Sequence, residues 1–319
     1  MSGLFDALAD PVLAGFLSAS VRLAIPILLA ALGGMFSERA GVLNIGLEGM
    51  MLIGCFVGFL VAHGTGSNWL GVGAAILAGA ATGLVLAVYA VGLRANQVVV
   101  GISINLAMVG ITAFCFRVAF GAGGASPRIE AFPALDFGPL GAIPLLGPLL
   151  FQHDVLTYLA LLLAGLSWLF LFRSSYGLSL IAVGQNPAAA ETVGISVART
   201  RYFAVMASGA LAGLGGAFLS MSATGLFLEN MTAGRGYIAL AILILGRRHP
   251  VGILGASLLF GAADALQLRA QLLPGAVPLQ FLLMLPYVLT IVVLALFAQR
   301  TGAPAALGLP FTRQRSDEG

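Results

Sequence analysis

Hydrophobic residues in this chain gather into long runs separated by short polar stretches. The runs cover 12–36, 45–62, 69–93, 97–120, 155–172, 202–224, 230–246, 250–268 and 279–298. A helix needs ~20 mainly apolar residues to cross a bilayer, and most of the runs reach or approach that length. Outer-membrane barrels instead show ~10-residue segments of alternating polarity, and none occur here. The expected fold is an all-α, polytopic transmembrane helical bundle of about nine spans, with a range of eight to ten. The run 97–120 opens on Asn96-Gln97 and carries Ser103 and Asn105, so it reads as partly re-entrant. The run 230–246 is short and flanked by glycine. Small residues recur inside the runs, as in Gly79 to Gly83 and Gly209 to Gly213, a pattern that suits close helix packing in lipid.

Composition supports the membrane assignment. The chain of 319 residues is 60% hydrophobic and 8% charged, against roughly 25% charged residues in soluble domains. All 15 basic residues are arginine. Without lysine there is no P-loop lysine to hold phosphate and no Schiff-base nucleophile. The net charge of +3 is small and spread out, which excludes a nucleic-acid partner. Cys55 and Cys115 lie inside apolar runs and read as small buried hydrophobes. His63, His153 and His249 are far apart, so no metal site is expected. No Ser/His/Asp set or H-E-x-x-H is present, and no catalytic residue is expected. Asp6 and Asp10 precede the first run without a basic residue, so 12–36 is expected to remain as a span rather than be cleaved as a signal.

Arginine in the loops sets the expected orientation. The segment 173–201 carries Arg173, Arg199 and Arg201, and the tail carries Arg300, Arg313 and Arg315, so both are assigned to the cytoplasm. The loop 121–154 holds Glu130, Asp136 and Asp154 against Arg128 and is assigned outside, as is the N-terminus. Residues 1–300 form one transmembrane domain with a cytoplasmic loop at 173–201, and 301–319 form a disordered cytoplasmic tail.

Three polar clusters interrupt the apolar pattern. The first runs from Ser37-Glu38-Arg39 to Glu48-Gly49-Met50-Met51. Asn44 suits the cap of the following helix, and Glu48 lies one turn in, at the positive end of its dipole. Ionisable residues at membrane depth are costly, so Asn44, Glu48, Asn96, Gln97 and Asn105 are candidate gate or pathway residues. The second cluster is Gly184-Gln185-Asn186-Pro187-Ala188 with Glu191 and Gly194. Asn186 suits the N-cap, Pro187 the first helical position and Gly194 the C-terminal stop, which predicts a two-turn helix of roughly 10 Å. A helix so short needs something to pack against, such as a groove on a cytoplasmic partner. The third cluster is Gly234-Arg235-Gly236-Tyr237, followed by Arg247-Arg248-His249. Arg247 and Arg248 read as headgroup anchors. Asp264 and Arg269 lie five apart, which is not the ideal stacking on a helix, and a local ion pair between them stays open.

Together, Glu38 to Met51, Gly184 to Ala190 with Gly194-Ile195, Gly234 to Ala241 and Gly252 to Leu266 resemble permease subunits of bacterial ABC importers. The similarity is to the nucleoside and simple-sugar branch of the branched-chain amino acid/ribose permease family, over residues 20–298. Gln185 departs from the pattern, because many members carry an acidic residue there. The resemblance implies a transport subunit rather than an enzyme, in a bacterial inner membrane. It implies two cytoplasmic ATPase subunits that bind ATP and Mg, a second permease chain of the same or another kind, and a periplasmic or lipoprotein solute-binding protein. This chain itself would bind no cofactor. Coupling to the ATPase would run through Gly184, Gln185, Asn186, Pro187, Ala188, Glu191 and Gly194. Nucleosides are the expected solute. Ribose-like sugars or riboflavin are the alternatives within the class. An ion-coupled secondary transporter using Glu48 and Asp264, or a membrane scaffold, are the alternatives outside it.

Overall fold

The computed structural model describes residues 11–121, 126–135, 137–143, 147–271, 279–297 and 302–312. Helix α1 spans Pro11–Arg39, α2 Leu47–Thr65, α3 Asn68–Ala87 and α4 Gln97–Phe120. Helix α5 spans Val155–Arg173, α6 Ser175–Gln185, α7 Pro187–Thr192 and α8 Val197–Ala217. Helix α9 spans Arg235–Leu245, α10 Pro250–Ala270, α11 Leu279–Leu283 and α12 Leu285–Phe297. Helices α3 and α8 each run on into a π-helical stretch, Val88–Gly92 and Phe218–Thr224. No strand occurs among the described residues.

The helical bundle agrees with the pattern of apolar runs, while the expected count of about nine spans is not confirmed. Seven helices among the described residues are long and apolar enough to cross a membrane. The run 230–246 does not make an eighth. Its N-terminal third folds as irregular chain, and α9 has only 11 residues. The run 279–298 is divided between α11 and α12, of five and 13 residues. Residue 298 itself lies outside the described residues.

Helix α8 is the centre of the bundle and packs against α1, α2 and α3. Lipid offers no hydrophobic drive between helices, so close contact depends on small residues. A Cβ on Gly79 would lie 2.1 Å from the carbonyl oxygen of Gly209, and one on Gly209 equally close to that of Gly79. One on Gly54 of α2 would lie 2.4 Å from the carbonyl oxygen of Gly213. Backbone therefore meets backbone along this seam, as the glycine spacing predicts. The loop 121–154 forms short helical turns at 138–142 and 147–151 and is tied back at Ala134 to Asp154. The Ile129 N–H donates to the Gly225 carbonyl, 2.9 Å away, fixing this loop to the end of the α8 π-helical stretch.

Candidate functional site: the short capped helix and the buried turn

The short helix α7 forms where its sequence predicts it, with six residues. The Asn186 side-chain oxygen accepts the Ala189 N–H at 3.0 Å, and Pro187 opens the helix where no N–H partner exists anyway. At the other end Gly194 takes φ +87. Its N–H donates to the Glu191 carbonyl and that of Ile195 to the Ala190 carbonyl, both at 3.0 Å, which is the Schellman stop. Ala190 is buried with Val183 and Val197, and Ile195 and Phe311 pack on them. Outward, Gln185, Asn186 and Ala188 are exposed, and Val193 keeps 75% of its surface open. Gly184, just before the helix, allows close approach: a Cβ there would lie 2.0 Å from the Arg39 carbonyl oxygen.

Residues 302–312 belong to the segment read from sequence as a disordered tail. They lie along this platform. The Ala306 N–H donates to the Gly184 carbonyl at 3.0 Å and the Gly308 N–H to the Gly41 carbonyl at 3.1 Å. Arg201 of α8, 2% exposed, spans the junction: Nε donates to the Ala40 carbonyl and Nη1 to the Leu309 carbonyl. The tail segment thus gains buried backbone partners that its own composition does not announce. Residues 313–319 lie outside the described residues.

A second junction joins the end of α1 to the turn between α9 and α10. Glu38 and Arg248 form an ion pair at 2.5 Å with both side chains about 5% exposed or less. Arg39 donates to the Arg248 carbonyl from Nε and Nη2, at 3.0 and 2.8 Å. Arg247 and Arg248 both adopt left-handed backbone, φ +53 and +52, which is strained for side chains of this size. Arg248 is therefore not a headgroup anchor; it is a buried clamp. Arg247 is exposed.

The candidate gate residues converge on one irregular stretch. Helix α1 stops in a Schellman turn at Gly41, φ +84, and the chain then runs buried through Val42 and Asn44 to the start of α2. Irregular backbone inside a membrane bundle needs side-chain partners. Gln97 Oε1 accepts the Leu43 N–H at 2.7 Å, and Ser37 Oγ donates to the Val42 carbonyl at 2.6 Å. Asn44 does not cap α2. Its Oδ1 accepts the Gly46 N–H at 3.0 Å and its Nδ2 donates to Ser208 Oγ at 2.8 Å, while Gly46 takes the cap position. Asn105, from α4, performs the capping instead. Its Oδ1 accepts the Gly49 N–H at 2.8 Å and its Nδ2 donates to the Ile45 carbonyl and Tyr237 Oη, both at 3.0 Å. Asn96 stands apart as the N-cap of its own helix, accepting from Val98 and Val99.

Glu48 is buried in the first turn of α2, yet it serves a different helix. Its two oxygens accept the N–H groups of Gly234 and Gly236, at 2.8 and 2.6 Å, at the open N-terminus of α9. This places a carboxylate at the positive end of that helix's dipole. Gly236 is required by the approach, since a Cβ there would lie 2.5 Å from the Glu48 backbone nitrogen. Asp264 and Arg269 do not pair among the described residues. The Arg269 guanidinium lies over the Phe16 ring at 5.6 Å, and Asp264 borders the same cavity as Arg235. Sequence reasoning missed the roles of Arg201 and Arg248, whose partners lie far along the chain. Their only sequence signal was arginine next to a helix end.

No group of three or more His, Cys, Asp or Glu side chains suited to a metal occurs among the described residues. The fold is that of a multi-pass membrane protein with a buried turn between α1 and α2 and a short capped helix, α7, braced on the ends of α1, α6 and α8. The chain belongs to the branched-chain amino acid transport system / permease component family, whose model matches residues 16–294. It is 40% identical to the guanosine ABC transporter permease protein NupQ of Bacillus subtilis (strain 168), over 92% of this chain and 95% of the relative. It is 37% identical to the nucleoside ABC transporter permease protein NupC of Lactococcus lactis subsp. cremoris (strain MG1363), over 91% and 94% of the two chains. A putative glucose ABC transporter permease protein, TsgC13 of Haloferax volcanii, is 41% identical over 81% of this chain and 78% of its own. No solved structure gives a significant match. The protein is thus a multi-pass inner-membrane transport subunit of the ABC class, and ATP hydrolysis resides on a partner chain.

Proposed function

We propose that this chain is one of two permease subunits of an ATP-driven importer for nucleosides. The observation that carries the reading is α7: an exposed six-residue helix, capped at both ends and braced on the ends of α1, α6 and α8. An ATPase that moves when it binds nucleotide could push on Gln185, Asn186, Pro187, Ala188 and Glu191. The rigid junction through Gly184 would pass the push to α1, and the permeases would alternate between outward and inward access. A second permease chain and an external solute-binding protein complete the assembly. ATP and Mg stay on the ATPase, and this chain holds no cofactor. Glu48 supports this reading over ion coupling, because both its oxygens are engaged by backbone N–H groups. The 41% identity to the putative glucose ABC transporter permease protein TsgC13 keeps sugars as the second reading.

The test is uptake of labelled guanosine, uridine, glucose, ribose and riboflavin in cells with and without the chain, under ATP depletion and separately under uncoupling. Uptake of nucleosides that needs the chain and ATP but survives uncoupling is expected. Uptake that follows the ion gradient would refute the ABC reading. In the same cells, Val193→Asp should abolish co-purification of the ATPase.

A further inference from the structure

Two half-open clefts of the bundle share part of their lining. The smaller, about 370 Å³, is lined by Arg235, Ile238, Asp264, Gln267, Leu268 and Tyr287. The larger, about 890 Å³, continues from it through the shared residues Leu23, Arg235 and Leu268, towards Arg22, Gln152 and Thr224. Their walls come from α1, α9, α10, α12 and the π-helical end of α8. The polar groups are few and convergent, as in small-molecule sites.

Arg235 and Asp264 border the smaller cavity but form no ion pair with each other among the described residues. The Arg235 guanidinium is held at one nitrogen, where Nη1 donates to the carbonyls of Met231 and Thr232 at 3.3 and 3.4 Å. Its Nε is buried with no partner. Asp264 makes no hydrogen bond to another described residue. Charges at this depth are costly and mark solute pathways. Here one is donor-only and the other acceptor-only, and they face a common space instead of closing on each other. Glu48 fixes the backbone on either side of Arg235, so the guanidinium cannot easily move to meet Asp264.

We infer that this cavity is the solute-binding station of the permease, with Arg235 and Asp264 reading a neutral solute that presents hydrogen-bond donors and acceptors side by side. Resting on the importer reading above, this names the recognising groups within it. The carboxylate accepts N–H or O–H groups, and the guanidinium donates to a carbonyl or ring nitrogen. The pair already cancels its own charge, so the ligand carries none. A nucleobase edge with adjacent N–H and C=O fits that description, and the ribose hydroxyls suit Gln267 and Tyr287.

The experiment uses the complete transporter in proteoliposomes with its binding protein, and measures labelled guanosine taken up per ATP hydrolysed. Asp264→Asn and Arg235→Gln should each lower that ratio at least tenfold. A variant that merely disturbs folding lowers uptake and hydrolysis together and leaves the ratio intact, which would overturn the inference. So would a charge-swapped double variant, Asp264→Arg with Arg235→Asp, that restores the ratio, because a structural ion pair tolerates exchange and a solute site does not. If Asp264→Asn does not assemble, Gln267→Leu on the same wall takes its place with the same expected loss. Wild-type protein with no ATP-dependent uptake of any nucleoside or sugar would instead sink the importer reading, and this inference with it.

Discussion

Replacing Glu48 by Gln separates a structural carboxylate from a transport one. In the native protein its two oxygens accept the Gly234 and Gly236 N–H groups at 2.8 and 2.6 Å. Hydrogen bonds to a charged group contribute about 1.5–3 kcal/mol each, so the two give roughly 3–6. Glutamine keeps one neutral acceptor, worth about 1 kcal/mol. It also turns an NH₂ donor towards the second N–H, and it removes a helix-end charge that contributes about 0.3–1 kcal/mol. The expected net loss is about 2–6 kcal/mol. At roughly 2 °C per kcal/mol, the unfolding midpoint in detergent should fall by about 4–12 °C. Gly236→Ala should do similar damage, because its Cβ would press on the Glu48 backbone at 2.5 Å. The two changes should be less than additive, since they break the same contact. A Glu48→Gln protein with an unchanged midpoint and lost transport would refute the capping argument and return Glu48 to the candidate gate or pathway residues.

Other outcomes follow from the same geometry. Glu38→Gln should destabilise the protein by about 3–5 kcal/mol by leaving Arg248 buried without its carboxylate, and an apolar double replacement of the pair should recover most of it; an effect below about 1 kcal/mol would fit a surface anchor instead. Gly79→Ala should cost about 1–3 kcal/mol and weaken α3–α8 packing, while Gly73→Ala on the same helix, where a Cβ meets nothing within 4 Å, serves as the silent control. Arg201→Met should release residues 302–312, read as loss of amide-exchange protection at Ala306 and Gly308; retained protection would show that the strap holds without it. Burial keeps His153 below its ordinary value, so folding favours its neutral form. The unfolded chain then binds more protons below about pH 6.5, so this contribution to stability is present above that pH and lost as pH falls through the depressed value. The midpoint difference between pH 7.5 and pH 5 should shrink in His153→Gln.

The local order along the chain already determined much of this protein. Apolar runs gave the helical bundle, because a backbone in lipid must satisfy itself within each segment. Asn186, Pro187 and Gly194 gave α7 with both of its ends, because capping bonds reach only a few residues. The glycines at 79 and 209 announced close packing, though not their pairing. Tertiary structure alone decided the rest. The run 230–246 has the composition of a span, yet Glu48, 186 positions earlier, captures the N-terminus of a short helix within it. Asn44 has the local look of a cap, and Asn105 from another helix takes that task. Arg248 and Arg201 resemble surface arginines until Glu38 and the tail cover them. Local propensity acts over a turn of helix, whereas a buried polar group takes whichever partner the packed bundle brings within 3 Å.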